Sequence, residues 1–212
     1  MRLFAALLLL APLAARAAAP TEAVKSANDR VRTALNGYTK AQGDERKAAR
    51  KQVREAVESL IDFEQLVKAA AGKHWKSMTP EHHRRFTEAL RGVMEANYLS
   101  KMREQGQVDV SKVDTEYLGE EKQGAHTLVK TKIKSGGDEV AVGYLMANEK
   151  GHWRAVDVLT EEVSLASSYR GQISSLWTKG GFDKVVTRLE SKRKSLEARE
   201  DAVKEDSTAP PK

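Results

Sequence analysis

The sequence predicts an α+β protein, a curved antiparallel sheet of about four strands surrounded by helices. Three observations predict it. Apolar side chains recur at helical spacing from about residue 21 to residue 105. The pattern then switches to strict alternation between Val113 and Leu159, and helical spacing returns near Val163. The alternating stretch is cut by short turns, which implies an antiparallel meander. The helices on either side of it must cover that sheet to make a core.

The elements follow in order. Val24, Ala27, Val31, Leu35 and Tyr38 mark a first helix over about 21–40, which Gly43 breaks. Val53, Val57, Leu60 and Ile61 mark a second. Asp62 with Gln65 three residues later is a capping-box pattern, and it starts a third helix through about Lys76. Thr79 can cap, Pro80 suits the first helical position and Glu81 complements the helix dipole, so a long fourth helix begins there and ends near Gly106. Ser135-Gly136-Gly137-Asp138 and Asn148-Glu149-Lys150-Gly151 are the turns between strands. The third strand carries Val140, Val142, Tyr144 and Met146 on one face and Ala141, Gly143, Leu145 and Ala147 on the other. Both faces are apolar, and the small residues of the second leave room for a helix or a ligand. After the sheet, Leu165, Tyr169, Ile173 and Leu176 share a helical face, Gly180-Gly181 ends it, and Phe182, Val185, Val186 and Leu189 open a last helix.

The first residues have a different character. Arg2 precedes an apolar run from Leu3 to Ala15, too short for the ~20 residues that span a bilayer as a helix. Ala15-Arg16-Ala17 supplies small residues where a signal peptidase reads, whereas a cut after Ala19 would place Pro20 next. Residues 1–17 are therefore expected to be a signal peptide cut after Ala17, and the mature protein to be soluble outside the cytoplasm. Residues 18–197 form one domain, helical over 18–105, sheet over 107–160 and helical over 162–197. Residues 198–212, highly charged and ending near Pro210 and Pro211, read as a disordered tail.

Composition removes several kinds of chemistry. The chain has no cysteine, which excludes disulfides, thiolate catalysis, cysteine metal sites and a lipidated N-terminal cysteine. Cleavage lowers the formal charge from +6 to +4. A basic surface suggests an anionic partner, and export points away from nucleic acid towards anionic lipid or an acidic protein. Five histidines invite a metal, but His82 and His83 are adjacent and His74, His126 and His152 fall on separate elements, so no metal site is expected. Asp157 sits within an apolar strand. It is either a general base of raised pKa or a structural carboxylate that pairs with an arginine such as Arg170 or caps the next helix. No nucleophile, phosphate loop or cofactor motif is present. Trp75, Phe86, Tyr98, Tyr144, Trp153, Tyr169 and Phe182 lie on apolar faces or their edges. They are core, or some of them line a cavity for an apolar ligand, and periodicity does not separate the two.

Two blocks carry a resemblance. The first is Gly72-Lys73-His74-Trp75 with Thr79-Pro80, Phe86 and Tyr98. The second is Trp153, Asp157-Val158, Val163-Ser164-Leu165, Tyr169-Arg170 and Gly181-Phe182. Together they resemble the MlaC family of periplasmic phospholipid-binding proteins. Glu162 departs from the family's usual glycine, and Ser167-Ser168 from its asparagines. The resemblance implies a cystatin-like, nuclear-transport-factor-like sheet with a deep cavity for phospholipid tails. It implies no catalysis and no cofactor. It further implies exchange between an outer-membrane lipoprotein complex and an inner-membrane ABC transporter complex with a membrane-anchored lipid-binding subunit. Alternatives are an enzyme on a related cone fold with Asp157 as base, and a periplasmic holdase. The expected cavity residues are Val93 and Tyr98 on the long helix. On the strands they are Val129, Val142, Tyr144, Met146 and Val158, and after the sheet Val163, Tyr169 and Ile173.

Overall fold

The computed structural model describes residues 19–104 and 110–207. The expected signal peptide and its cut, Gly106, and the last five residues lie outside them. Helices α1 (Pro20–Lys40), α2 (Gly43–Glu58), α3 (Phe63–Ala71) and α4 (Pro80–Glu104) come first. Strands β1 (Asp114–Gln123), β2 (His126–Ser135), β3 (Asp138–Glu149), β4 (His152–Thr160) and β5 (Val163–Ser164) follow, and α5 (Leu165–Ser207) closes the chain. The sheet is antiparallel throughout in the order β1-β2-β3-β4-β5. The α+β class and the meander hold, with a fifth strand of two residues where the sequence pattern starts a helix.

Local chemistry accounts for most boundaries. The Asp62 carboxylate accepts a hydrogen bond from the Gln65 amide at 3.0 Å, the cap expected of that pair. The helix it starts is shorter than the pattern predicts: α3 stops at Ala71 and residues 72–77 form a 3₁₀ turn. The backbone of Gly72 turns out of the helix there (φ 55°, ψ −130°), a conformation that glycine adopts at little cost. At the next helix, Thr79 Oγ1 accepts from the His82 amide at 3.2 Å.

The helices cover one face of the sheet. Val24 and Ala27 of α1, Leu66 and Val67 of α3, Phe86, Leu90 and Val93 of α4 and Val185 and Val186 of α5 meet Val129, Met146 and Ala155 in the main core. A smaller cluster of Leu35, Tyr38, Val53, Leu99 and Val110 joins α1, α2 and the far half of α4. Strand β4 is stitched to the α2–α3 connection, with Asp62 donating to Ala155 O and Ala155 donating to Leu60 O, both at 2.8 Å. Those bonds occupy backbone groups that an edge strand would otherwise expose.

Two features differ from the sequence reading in instructive ways. The last helix runs to Ser207, past residue 198 where a disordered tail was expected. Its end is built of strong helix formers, with Arg193 and Glu197 paired at 3.8 Å one turn apart. The β4–β5 turn places Glu161 (φ 47°) and Glu162 (φ 64°) in left-handed backbone. This two-residue turn favours Asn-Gly or similar. It is held here by the Glu161 carboxylate, which accepts from the Ala141 amide at 2.7 Å. Glu162→Gly is expected to stabilise the fold by about 0.5–1 kcal/mol, strain relief less the entropy of glycine. A melting temperature that falls would show the turn to be unstrained.

Candidate functional site

Register sorts the inner face of the sheet into rows. Thr127, Met146 and Ala155 form one row, and Val129, Tyr144 and Val158 the next. Thr131, Val142, Thr160 and Val163 form a third, and Ile133 with Val140 a fourth. Along β3 burial falls in that order, although Thr131 in the third row is itself buried. Met146, Ala155, Val129 and Tyr144 are buried, Val142 and Val158 are half-buried, Val140 is 37 % exposed and Val163 is 61 % exposed. The inner face is thus packed at one end and an open apolar recess at the other.

Tyr98 of α4 and Tyr144 belong to this recess. Tyr98 leaves 45 % of its surface open, yet burial pushes its phenol pKa up. Its phenol lies close enough to Tyr144 to contribute to the shift of that ring's pKa. The Tyr144 hydroxyl donates to Asn28 Oδ1 at 3.3 Å, and Asn28 Nδ2 donates to the Tyr117 hydroxyl at 3.2 Å. Burial, opposed by the Asn28 bond and aided by nearby Tyr98 and Tyr117, pushes the Tyr144 pKa up to about 12. These phenols stay neutral at ordinary pH. The recess therefore offers apolar surface with a few neutral hydrogen-bonding groups, which suits an uncharged chain better than an ion.

The expected cavity residues separate accordingly. Val142, Tyr144, Val158 and Tyr98 gather at the recess, while Val93, Val129 and Met146 are packed core behind it. Val163 stands at the exposed edge. Tyr169 and Ile173 are buried in the main core and also border a second cleft. The two arms of α5, on either side of Gly180-Gly181, enclose about 590 Å³ floored by Tyr169, Ile173, Leu176, Leu189 and Leu196. Gly181 (φ 64°, ψ −155°) has a backbone open essentially to glycine alone, so the break is written into the sequence. Among the features that sequence reasoning missed are Asn28 and this cleft. The cleft had a signal, since Arg188, Lys192 and Arg199 recur at one helical face beside Leu189 and Leu196.

Asp157 is a structural group. Its Oδ1 accepts from the Val158 amide at 2.9 Å and the Ala166 amide at 3.1 Å, and its Oδ2 from the Ser164 hydroxyl at 2.5 Å. It thereby caps α5. The expected pairing with Arg170 is absent, because Arg170 Nε donates to Ala69 O at 2.9 Å and holds α5 against α3. Among the described residues no group of three or more histidine or acidic side chains could hold a metal, and no helix is long and apolar enough to cross a membrane.

Two of the five histidines, His74 and His82, stack at the elbow of α5, and His83, next to His82 in sequence, stacks on Trp75. His74 stacks on Trp177 at 4.4 Å between ring centroids, His83 on Trp75 at 3.9 Å and His82 on Phe182 at 3.8 Å. The comparisons bear on this region. The sequence profile of the MlaC protein family matches residues 25–191. The chain belongs to the MlaC family. Within it, the two blocks that carried the resemblance pack on each other here, Gly72 against Arg170 and His82 against Phe182. The fold is shared with a phospholipid-binding protein from Ralstonia solanacearum solved in complex with a phospholipid. That structure has a TM-score of 0.74 at 19 % identity, over 85 % of this chain and 99 % of the other. No match was found among curated proteins.

The elbow of this MlaC-family chain has a pH consequence. Burial, then the charge of Lys73, lowers the pKa of His74 from its ordinary 6.5. The unfolded chain thus binds that proton more readily than the folded one. The stability tied to neutral His74 is complete above pH 6.5 and is lost as pH falls through that value towards the lower folded one. His74→Phe keeps a ring on Trp177 without titrating. Urea unfolding between pH 5 and 7.5 is expected to show a shallower loss of stability in the variant, and parallel curves would remove His74 from the account.

Proposed function

We propose that this protein is a soluble periplasmic phospholipid carrier. In this reading it takes lipid between an outer-membrane lipoprotein complex and an inner-membrane ABC transporter complex with a membrane-anchored lipid-binding subunit. The observation that carries the reading is the inner face of the sheet, apolar yet left open at Val140, Val142 and Val163 beside the half-open ring of Tyr98. Membership of the MlaC family and the phospholipid-bound neighbour support it. The apolar run before Ala17 supports export.

The physical case needs no reaction. Each buried methylene is worth about 0.8 kcal/mol, so an acyl chain crosses water too rarely unaided. A carrier has to shield the tails and bind them weakly enough to let go. Neutral tyrosines around an open apolar recess do both, since they add few directional bonds. The inner-face groups described here include no paired acid and base and no activated nucleophile. The test is transfer between donor and acceptor vesicles, with the mature protein starting at Ala18 recovered from the periplasmic fraction. Transfer that rises with protein concentration is expected, and a protein that leaves the vesicles' composition unchanged contradicts the reading.

A further inference from the structure

The cleft between the arms of α5 stands apart from the recess on the sheet, and its chemistry is different. Its floor is apolar, but one bank carries Arg188, Lys192 and Arg199, spaced by about one and two helical turns along the second arm. The opposite bank is neutral, with Gln172 and Ser175, and none of the described residues that line the cleft is acidic. Glu197, on the same arm, is otherwise engaged: it is bound to Arg50 at 3.2 Å and lies 3.8 Å from Arg193. No described residue forms an ion pair with the three bank cations. In a chain with 30 acidic residues against 36 basic ones, an apolar trough edged by three cations that no described residue pairs is a polarised surface. It complements an amphiphile whose apolar part ends in a negative group.

We infer that this cleft is a second lipid site, selective for a phospholipid of net negative headgroup. One acyl chain lies along Tyr169, Ile173, Leu176, Leu189 and Leu196, and the phosphate rests against Arg188, Lys192 and Arg199. A volume of about 590 Å³ falls within the range of small-ligand pockets. Guanidinium groups grip phosphate through paired N–H donors, and the lysine adds charge without geometry. Exposed charge pairs each change affinity by about two- to fivefold, so three of them give a preference that can be measured without holding the lipid irreversibly. The inference rests on the carrier reading but assigns a site and a headgroup class that the reading does not need.

The experiment offers delipidated full-length protein one population of mixed vesicles containing equal phosphatidylglycerol and phosphatidylcholine. Because all molecules meet the same surface charge, the composition of the extracted cargo reports the protein and not the membrane. The wild type is expected to hold an excess of phosphatidylglycerol, which rises to about tenfold in Val142→Trp, where the second site supplies the remaining cargo. The triple variant Arg188→Gln, Lys192→Gln, Arg199→Gln should lose that excess while keeping its remaining cargo. Added salt should erode the excess in the wild type, which checks the result without any mutation. Cargo at the donor ratio in the wild type, or an excess that survives in the triple variant, overturns the inference and leaves the carrier standing. Binding of inorganic phosphate alone, with no enriched lipid, overturns it in favour of a free-anion site. Absence of any cargo in the wild type overturns both.

Discussion

Val142→Trp is expected to remove most of the phospholipid held at the sheet while the protein still folds. Val142 pairs with Thr131 and Thr160 and is half-buried on the inner face, where the packed core gives way to the open recess. An indole there occupies space that a chain would use and displaces few packed side chains. Were Val142 ordinary core, the same change would over-pack it at about 1–3 kcal/mol. In a protein of this size each kcal/mol lowers the melting temperature by about 2–4 °C. Loss of ligand also lowers apparent stability by mass action, so delipidated wild type is the reference. Phospholipid per mole of protein and the melting temperatures of the two delipidated forms decide it. Lost cargo with a similar melting temperature fits the recess, and retained cargo with a depressed one places Val142 in the core.

Glu95→Ala is expected to cost about 3 kcal/mol, or about 6–12 °C in melting temperature. The Glu95 carboxylate accepts from Arg50 Nε at 2.6 Å and from Arg54 Nε at 2.8 Å, and Arg50 reaches on to Glu197. One group thus ties α2 to α4 and, through Arg50, to α5. Burial alone would raise the Glu95 pKa, but the hydrogen bonds and charges of Arg54 and Arg50 outweigh it and hold the carboxyl below its ordinary 4.5. The unfolded chain takes up that proton first as pH falls. The stability from Glu95 is therefore complete above pH 4.5 and is lost as pH drops through the folded value. Thermal unfolding of both proteins at pH 7 and pH 4 checks both parts. The gap between them should narrow at the lower pH, and an equal gap at both would show that folding leaves the Glu95 pKa unshifted.

Much of this architecture was written locally. Asp62, Thr79 and Gly180-Gly181 act within a few residues of themselves, so their caps and the break in α5 are readable from spacing alone. The alternation through Val129, Tyr144 and Met146 likewise fixes which face of the sheet meets the helices. What spacing cannot carry is depth. Val142 and Met146 share one alternating face, and only the assembled fold makes one the lip of a recess and the other packed core. Partners far apart in sequence were equally hidden. Arg170 reached the Ala69 carbonyl and left Asp157 to cap α5, and Asn28 joined two tyrosines whose positions lie 89 and 116 residues further along the chain. Glu161 and Glu162 show the limit from the other side. A turn that ordinarily asks for glycine formed without it, because a carboxylate found the Ala141 amide.

The central claim is that the protein holds phospholipid, and the most direct measurement is mass spectrometry of the organic extract of protein purified from its native source without added lipid. The account predicts diacyl phospholipid at about one mole or more per mole of protein, reduced in Val142→Trp. An extract free of phospholipid, from protein that also stays empty after incubation with vesicles, would contradict it.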